Sequence, residues 1–247
     1  MSQPNRSKKG RPAPRQNSLP AVVSAFVVVM IFVGLGIMLA TNRPGTAETG
    51  AMPTVEPFAT QAAVVAATAP TVTAGGRKTY TAPPPMMIDP TKHYTATITT
   101  PRGDIVIKLR PDLAPQTVNN FVFLAREGFY DGLTWHRVLP NFMAQGGDPE
   151  GTGRGGPGYT IPDEFTDKVL FDRPGIVAMA RPNQPNSAGS QFFITTAPAP
   201  HLNGQYTIFG EVVEGQEVVN GIPLRDPDSD PNAPPGEQIV KITITEQ

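Results

Sequence analysis

No charge interrupts the chain between Arg15 and Arg43, and within that interval Leu19–Ala40 reads LPAVVSAFVVVMIFVGLGIMLA. A helix over 19–40 would rise about 33 Å, enough for a hydrocarbon core of about 30 Å. Helices on soluble folds keep a polar side, whereas this segment is apolar all round. Five cations (Arg6, Lys8, Lys9, Arg11, Arg15) precede it, with no acid among residues 1–18. The reading is a basic cytoplasmic tail at 1–18, then a transmembrane helix or uncleaved signal anchor at 19–40, with all that follows Thr41 extracytoplasmic. A cleaved signal peptide is the alternative. Its apolar stretch would be shorter, about 7–15 residues. Met38-Leu39-Ala40 fits a cleavage site poorly, although Gly45-Thr46-Ala47 fits better. The chain has no cysteine, which removes lipoprotein anchoring, disulfides, thiol catalysis and Cys-ligated metals.

Beyond the tail, the remaining 15 Lys and Arg face 21 Asp and Glu. A mildly acidic body does not suit nucleic acid, which needs a basic face. Residues 41–92 are rich in Ala, Thr and Pro, lack an apolar period and read as a disordered linker. Thr81 to Pro85 favours polyproline II. From His93 onward, Gly and Pro cut the chain into short apolar runs. Tyr94–Thr99 and Gly103–Arg110 alternate about a tight turn and predict a hairpin. Val118, Phe121, Val122, Leu124 and Ala125 recur at helical spacing after Pro115, and Gly128 ends that helix. Further runs fall at 133–138, 142–145, 175–180, 191–195, 207–213 and 238–245, with a short second helix at 215–221. Many strands with few helices point to a mainly β fold, a closed antiparallel barrel.

Three segments carry a resemblance. WHRVLPNFMAQGGD (135–148), MARPNQPNSAGSQFFIT (179–195) and HLNGQYTIFGEVVEG (201–215) occur in order and resemble the motifs of cyclophilins of a bacterial-like pattern. With the hairpin and helix, the resemblance covers almost all of 93–247. It implies an eight-stranded antiparallel barrel capped by two helices, peptidyl-prolyl cis/trans isomerase activity without cofactor or metal, and proline-containing polypeptides as partners of a monomeric catalytic domain.

The chemistry can be stated from the bond itself. Rotation about an X-Pro amide meets a barrier near 18–20 kcal/mol because it breaks resonance. Twisting localises the lone pair on the prolyl nitrogen. A fixed cationic donor then binds that nitrogen better than in the planar amide, which is differential transition-state binding. Arg137 is the candidate catalytic residue, since its guanidinium stays charged and offers a rigid fork of donors. By resemblance, Phe142, Met143, Phe193 and Leu202 line the proline site, Gln145 contacts substrate backbone, and Gln191 orders the floor. His136 also matches a site residue but points opposite to Arg137 on a strand, which suits a supporting role. His201 and Tyr206 stand where the family often has Trp and His. Cyclosporin-sensitive members carry that Trp, so weak affinity for the drug is expected. The contact from 181–189 to substrate backbone, Arg181 or Asn183, stays open.

Two other patterns carry less. Gly151-Thr-Gly-Arg-Gly-Gly156 matches G-x-G-x-x-G, but Pro157 and Pro162 leave no helix to receive a phosphate, so it reads as a mobile loop beside the groove. Asp226, Asp228, Asp230, Asn232 and Glu237 fall at calcium-loop spacing, yet Pro231 replaces the needed glycine. The rival functions are a membrane-tethered peptide-binding chaperone with little turnover, which would have no need of Arg137, and a calcium-bound interaction barrel.

Overall fold

The structure, a computed structural model, describes residues 69–73 and 75–247. The expected tail at 1–18, membrane helix at 19–40 and first part of the linker lie outside the described residues. Among the described residues, no helix is long and apolar enough to cross a membrane.

Alternation builds the sheet. Tyr94–Thr100 (β3) and Gly103–Leu109 (β4) form the expected hairpin, with Ala96, Ile98, Ile105 and Ile107 turned inward and fully buried. The remaining strands are Arg137–Leu139 (β5), Met143–Gly146 (β6), Ile176–Met179 (β7), Phe192–Thr195 (β8), Ile208–Glu214 (β9) and Lys241–Glu246 (β10). All pair antiparallel in the order β10-β3-β4-β9-β7-β8-β6-β5. The curled sheet has eight strands, but the expected full closure is corrected: no ladder joins edge strands β5 and β10. Irregular segments bridge the seam instead. Ile239 N–H donates to Leu133 O, and Trp135 N–H donates to Glu237 O. Proline and glycine around 221–236 explain this, because they cannot sustain a strand ladder.

Helix α1, Pro115–Arg126, closes one end with Val118, Phe121 and Leu124 fully buried. Proline opens it, where the missing N–H costs nothing. Its own N-cap residue, Ala114, supplies no side-chain bond. The free N–H groups of Gln116 and Thr117 instead donate to the Glu164 carboxylate at 3.1 and 2.8 Å, an anion at the positive helix end. Gly128 (φ +63°) terminates α1 in the left-handed region. The second helix, α2, is one short turn and a half, Gln216–Asn220.

The linker boundary at 92 needs a second correction. Thr71–Val72 (β1) pairs with Lys78–Thr79 (β2), and residues 80–90 run along the domain as a strap. Tyr80 and Ile88 are buried in the main core. Tyr80 meets Phe123 edge-on, with ring centroids 5.1 Å apart. Asn119 on α1 holds the strap, accepting from Met87 N–H at 2.7 Å and donating to Pro85 O at 2.9 Å.

Candidate active site

Strand alternation sorts β6, β7 and β8 into two faces. Ala144, Val177, Phe192 and Ile194 turn into the barrel and join the main core. Met143, Ile176, Ala178 and Phe193 turn outward into a second cluster with Phe171, Ala199, Leu202 and Ile208. Between this cluster and the loop 153–160 lies a groove of about 670 Å³.

Cross-strand register brings the chemistry together. Arg137 pairs with Gln145, and Gln145 pairs with Phe193, so a cation, an amide and an aromatic ring stand in one row across three strands. Phe142, Met143, Phe193 and Leu202 form the apolar end of the groove, with Tyr206 edge-on to Phe193 at 5.7 Å. Gln145 Nε2 donates to Gln191 Oε1 at 2.9 Å, and Gln191 Nε2 donates to Gly155 O at 2.8 Å. This relay fixes both amide planes against the loop. Arg137, Phe142, Met143, Gln145, Gln191, Phe193, Leu202 and Tyr206 therefore share one groove.

The two histidines stand outside its lining. His136 is 1% exposed, on the side of β5 away from Arg137. Burial holds its pKa below the ordinary histidine value, against smaller opposing pulls from Asp148 and from a backbone hydrogen bond at Thr134. His201 is exposed on the turn Pro200–Leu202, its ring 5.6 Å from Phe142.

Sequence reasoning missed Asp148, which organises the glycine loop. Its buried carboxylate accepts from the N–H groups of Glu150 (2.7 Å), Thr152 (2.9 Å) and Gly153 (2.5 Å). Those donors are consumed by Asp148, and the loop beside the groove forms part of its wall. The preceding Gly147 (φ +82°) is required, since a Cβ would stand 2.4 Å from Ser190 O. The Gly-Gly-Asp signal was present in the motif, but its role needed the fold. Arg181 lines the groove without a free hand. Its guanidinium donates to the carbonyls of Gln205, Pro182 and Gln184, and stacks near Phe165 and Tyr206. Asn183 is exposed and not part of the lining. The acidic residues diverge: Glu237 pairs with Arg102 at 2.5 Å, while Asp226 and Asp228 face Arg137. Among the described residues, no group of three or more His, Asp or Glu could hold a metal ion.

Comparison with known proteins agrees with this geometry. The family model for cyclophilin type peptidyl-prolyl cis-trans isomerase/CLD matches residues 95–246. Peptidyl-prolyl cis-trans isomerase A of Mycobacterium tuberculosis is 48% identical over 168 residues, covering 61% of this chain and 91% of the relative. Peptidyl-prolyl cis-trans isomerase B of Bacillus subtilis is 53% identical over 118 residues, covering 48% of this chain and 82% of the relative. A crystal structure of a Cryptosporidium parvum cyclophilin superposes with a TM-score of 0.57 at 35% identity, covering 63% of this chain and 99% of that one. A second structure of it, solved in the presence of the dipeptide Ala-Pro, gives a TM-score of 0.52 at 33% identity, covering 62% and 98%. The chain belongs to the cyclophilin-type peptidyl-prolyl cis–trans isomerase family.

Proposed function

We propose that this isomerase acts on X-Pro bonds of exported or cell-surface polypeptides and assists their folding, tethered to the membrane through residues 19–40. The uncharged apolar stretch and the five preceding cations support the tether and an extracytoplasmic domain. The catalytic domain is taken to act as a monomer.

The observation that carries the catalytic reading is Arg137 standing in register with Gln145 and Phe193 at the edge of an apolar groove. The proline ring seats against Phe142, Met143, Phe193 and Leu202. Gln145, its amide plane fixed by Gln191, offers its oxygen to a client N–H. Arg137 donates to the prolyl nitrogen as the amide twists. Nothing is broken covalently, so rigidity and one well-placed donor suffice. His201, presenting less apolar surface than an indole, accounts for the weak cyclosporin affinity expected.

A protease-coupled assay with a proline peptide tests this reading. A charge-assisted hydrogen bond is worth roughly 1.5–3 kcal/mol, so Arg137→Ala should lower kcat/KM by about one to two orders of magnitude. The melting temperature should change little, because the side chain borders open groove. Full activity in the variant would reject the mechanism.

A further inference from the structure

Arg137 has company at the groove edge that the strand register does not explain. Its Nε lies 3.8 Å from Asp226 Oδ1 and 3.8 Å from Asp228 Oδ2. That nitrogen is buried and has no hydrogen-bond partner of its own. Both acids come from the proline-rich segment 223–236, almost ninety residues further along the chain.

The segment is stapled to the strand that carries the arginine. Val138 N–H donates to Arg225 O at 2.6 Å, and Arg225 N–H donates to Val138 O at 3.0 Å. The Arg225 guanidinium reaches back to His136 O and, at 2.8 Å, to Pro234 O. Asp226 follows directly, and its carboxylate is held in turn. It accepts from Ser229 Oγ at 2.6 Å and from Asp228 N–H at 3.3 Å, while its carbonyl accepts from Asp230 N–H at 2.9 Å. Its side chain is 30% exposed against 83% for Asp228, so its charge is the less screened of the two.

Arginine has several rotatable bonds, and a donor that wanders loses rate. We infer that Asp226, assisted by Asp228, is a positioning residue: it holds the guanidinium from the Nε side and leaves the terminal nitrogens for the prolyl nitrogen. The inference rests on the catalytic reading of Arg137 and adds a part to it. At 3.8 Å the contact is an ion pair without a hydrogen bond, so the effect is modest and acts through orientation.

The test measures kcat and KM separately in the full-length chain for Asp226→Asn, Asp226→Glu and the Asp226→Asn/Asp228→Asn pair, each in the native and the Arg137→Ala background. Asparagine removes the charge and keeps one acceptor oxygen for Asp228 N–H, while its amide nitrogen faces Ser229 Oγ, a hydroxyl that can turn to accept. Asp226→Asn should lower kcat roughly two- to fivefold and the pair up to about tenfold, with KM and melting temperature nearly constant. Asp226→Glu should keep most of the turnover, and Asp230→Asn should behave as native. In the Arg137→Ala background the Asp226 substitution should change nothing, because the group it acts through is gone. An equal loss in both backgrounds, an unchanged kcat, or a higher kcat would overturn the inference while leaving Arg137 in place. Full activity of Arg137→Ala alone would overturn the parent reading and this one with it.

Discussion

The two faces of strands β6 to β8 use the same chain for opposite ends. Phe192 and Phe193 are neighbours in sequence, yet the first is sealed in the barrel against Phe121, Tyr130 and Trp135. The second lies at the floor of the groove between Phe171 and Tyr206. Inside, rings meet rings on all sides and nothing but stability results. Outside, the cluster is left open along one edge, and on the proposed reading that surface takes the proline ring. A period of two therefore separates folding from recognition without needing separate segments.

The largest expected effect tests that division. Phe192→Ala empties a sealed site and should cost about 3–5 kcal/mol in urea unfolding, while kcat/KM of the protein that remains folded stays near native. Phe193→Leu nearly conserves volume and should cost less than about 1.5 kcal/mol, yet it should lower kcat/KM clearly. Reversed outcomes, with the inner change silent in stability or the outer one silent in turnover, would break the comparison.

Next in size is the strap. Its Tyr80 and Ile88 bury against the main core, and Tyr80 N–H donates to Pro157 O at 2.8 Å behind the groove wall. Burying such a side chain contributes about 1.5–3 kcal/mol, an upper figure because unfolded chains are already partly compact. A chain starting at His93 should thus lose roughly 2–4 kcal/mol against one starting at residue 69. It should also lose part of its activity, since the groove loop loses a support. Identical stability and turnover of the two chains would show that the strap is passive.

The smallest effect concerns His136, next to strand β5. Burial lowers its folded-state pKa below the unfolded value near 6.5. As pH falls, the unfolded chain takes up the proton first. The stabilisation from the neutral buried ring is therefore present above pH about 6.5 and is lost as pH falls from there through the folded value, by up to about 1.4 kcal/mol per pH unit. His136→Gln should flatten that part of the stability profile by one proton. A profile of unchanged slope would mean that other groups carry the acid sensitivity.

Local features were legible in the sequence and remote ones were not. The hairpin from Tyr94, the helix from Pro115 and its Gly128 end follow from alternation, helical spacing and turn residues, all within a dozen positions. The groove residues from Phe142 to Tyr206 followed from motif resemblance, and the register of β5, β6 and β8 explains why they converge. The strap escaped because Tyr80 and Ile88 stand in Ala/Pro-rich chain without a period, and their partners lie on α1. Glu164 at the start of α1, Asp148 inside the glycine loop and Asp226 beside Arg137 escaped for one physical reason. Each is a carboxylate whose meaning depends on N–H groups or a cation that the fold brings to it, and spacing along the chain does not encode that.

Exchange spectroscopy by NMR on an Ala-Pro peptide, with no coupling protease, tests the central claim most directly. The cis and trans resonances of one equilibrium mixture report turnover, and their shifts on adding protein report binding. The account predicts rapid cis–trans exchange with the native chain. With Arg137→Ala it predicts similar binding shifts but exchange slower by about one to two orders of magnitude. Exchange at the native rate with Arg137→Ala would contradict the assignment of Arg137 as the donor to the prolyl nitrogen.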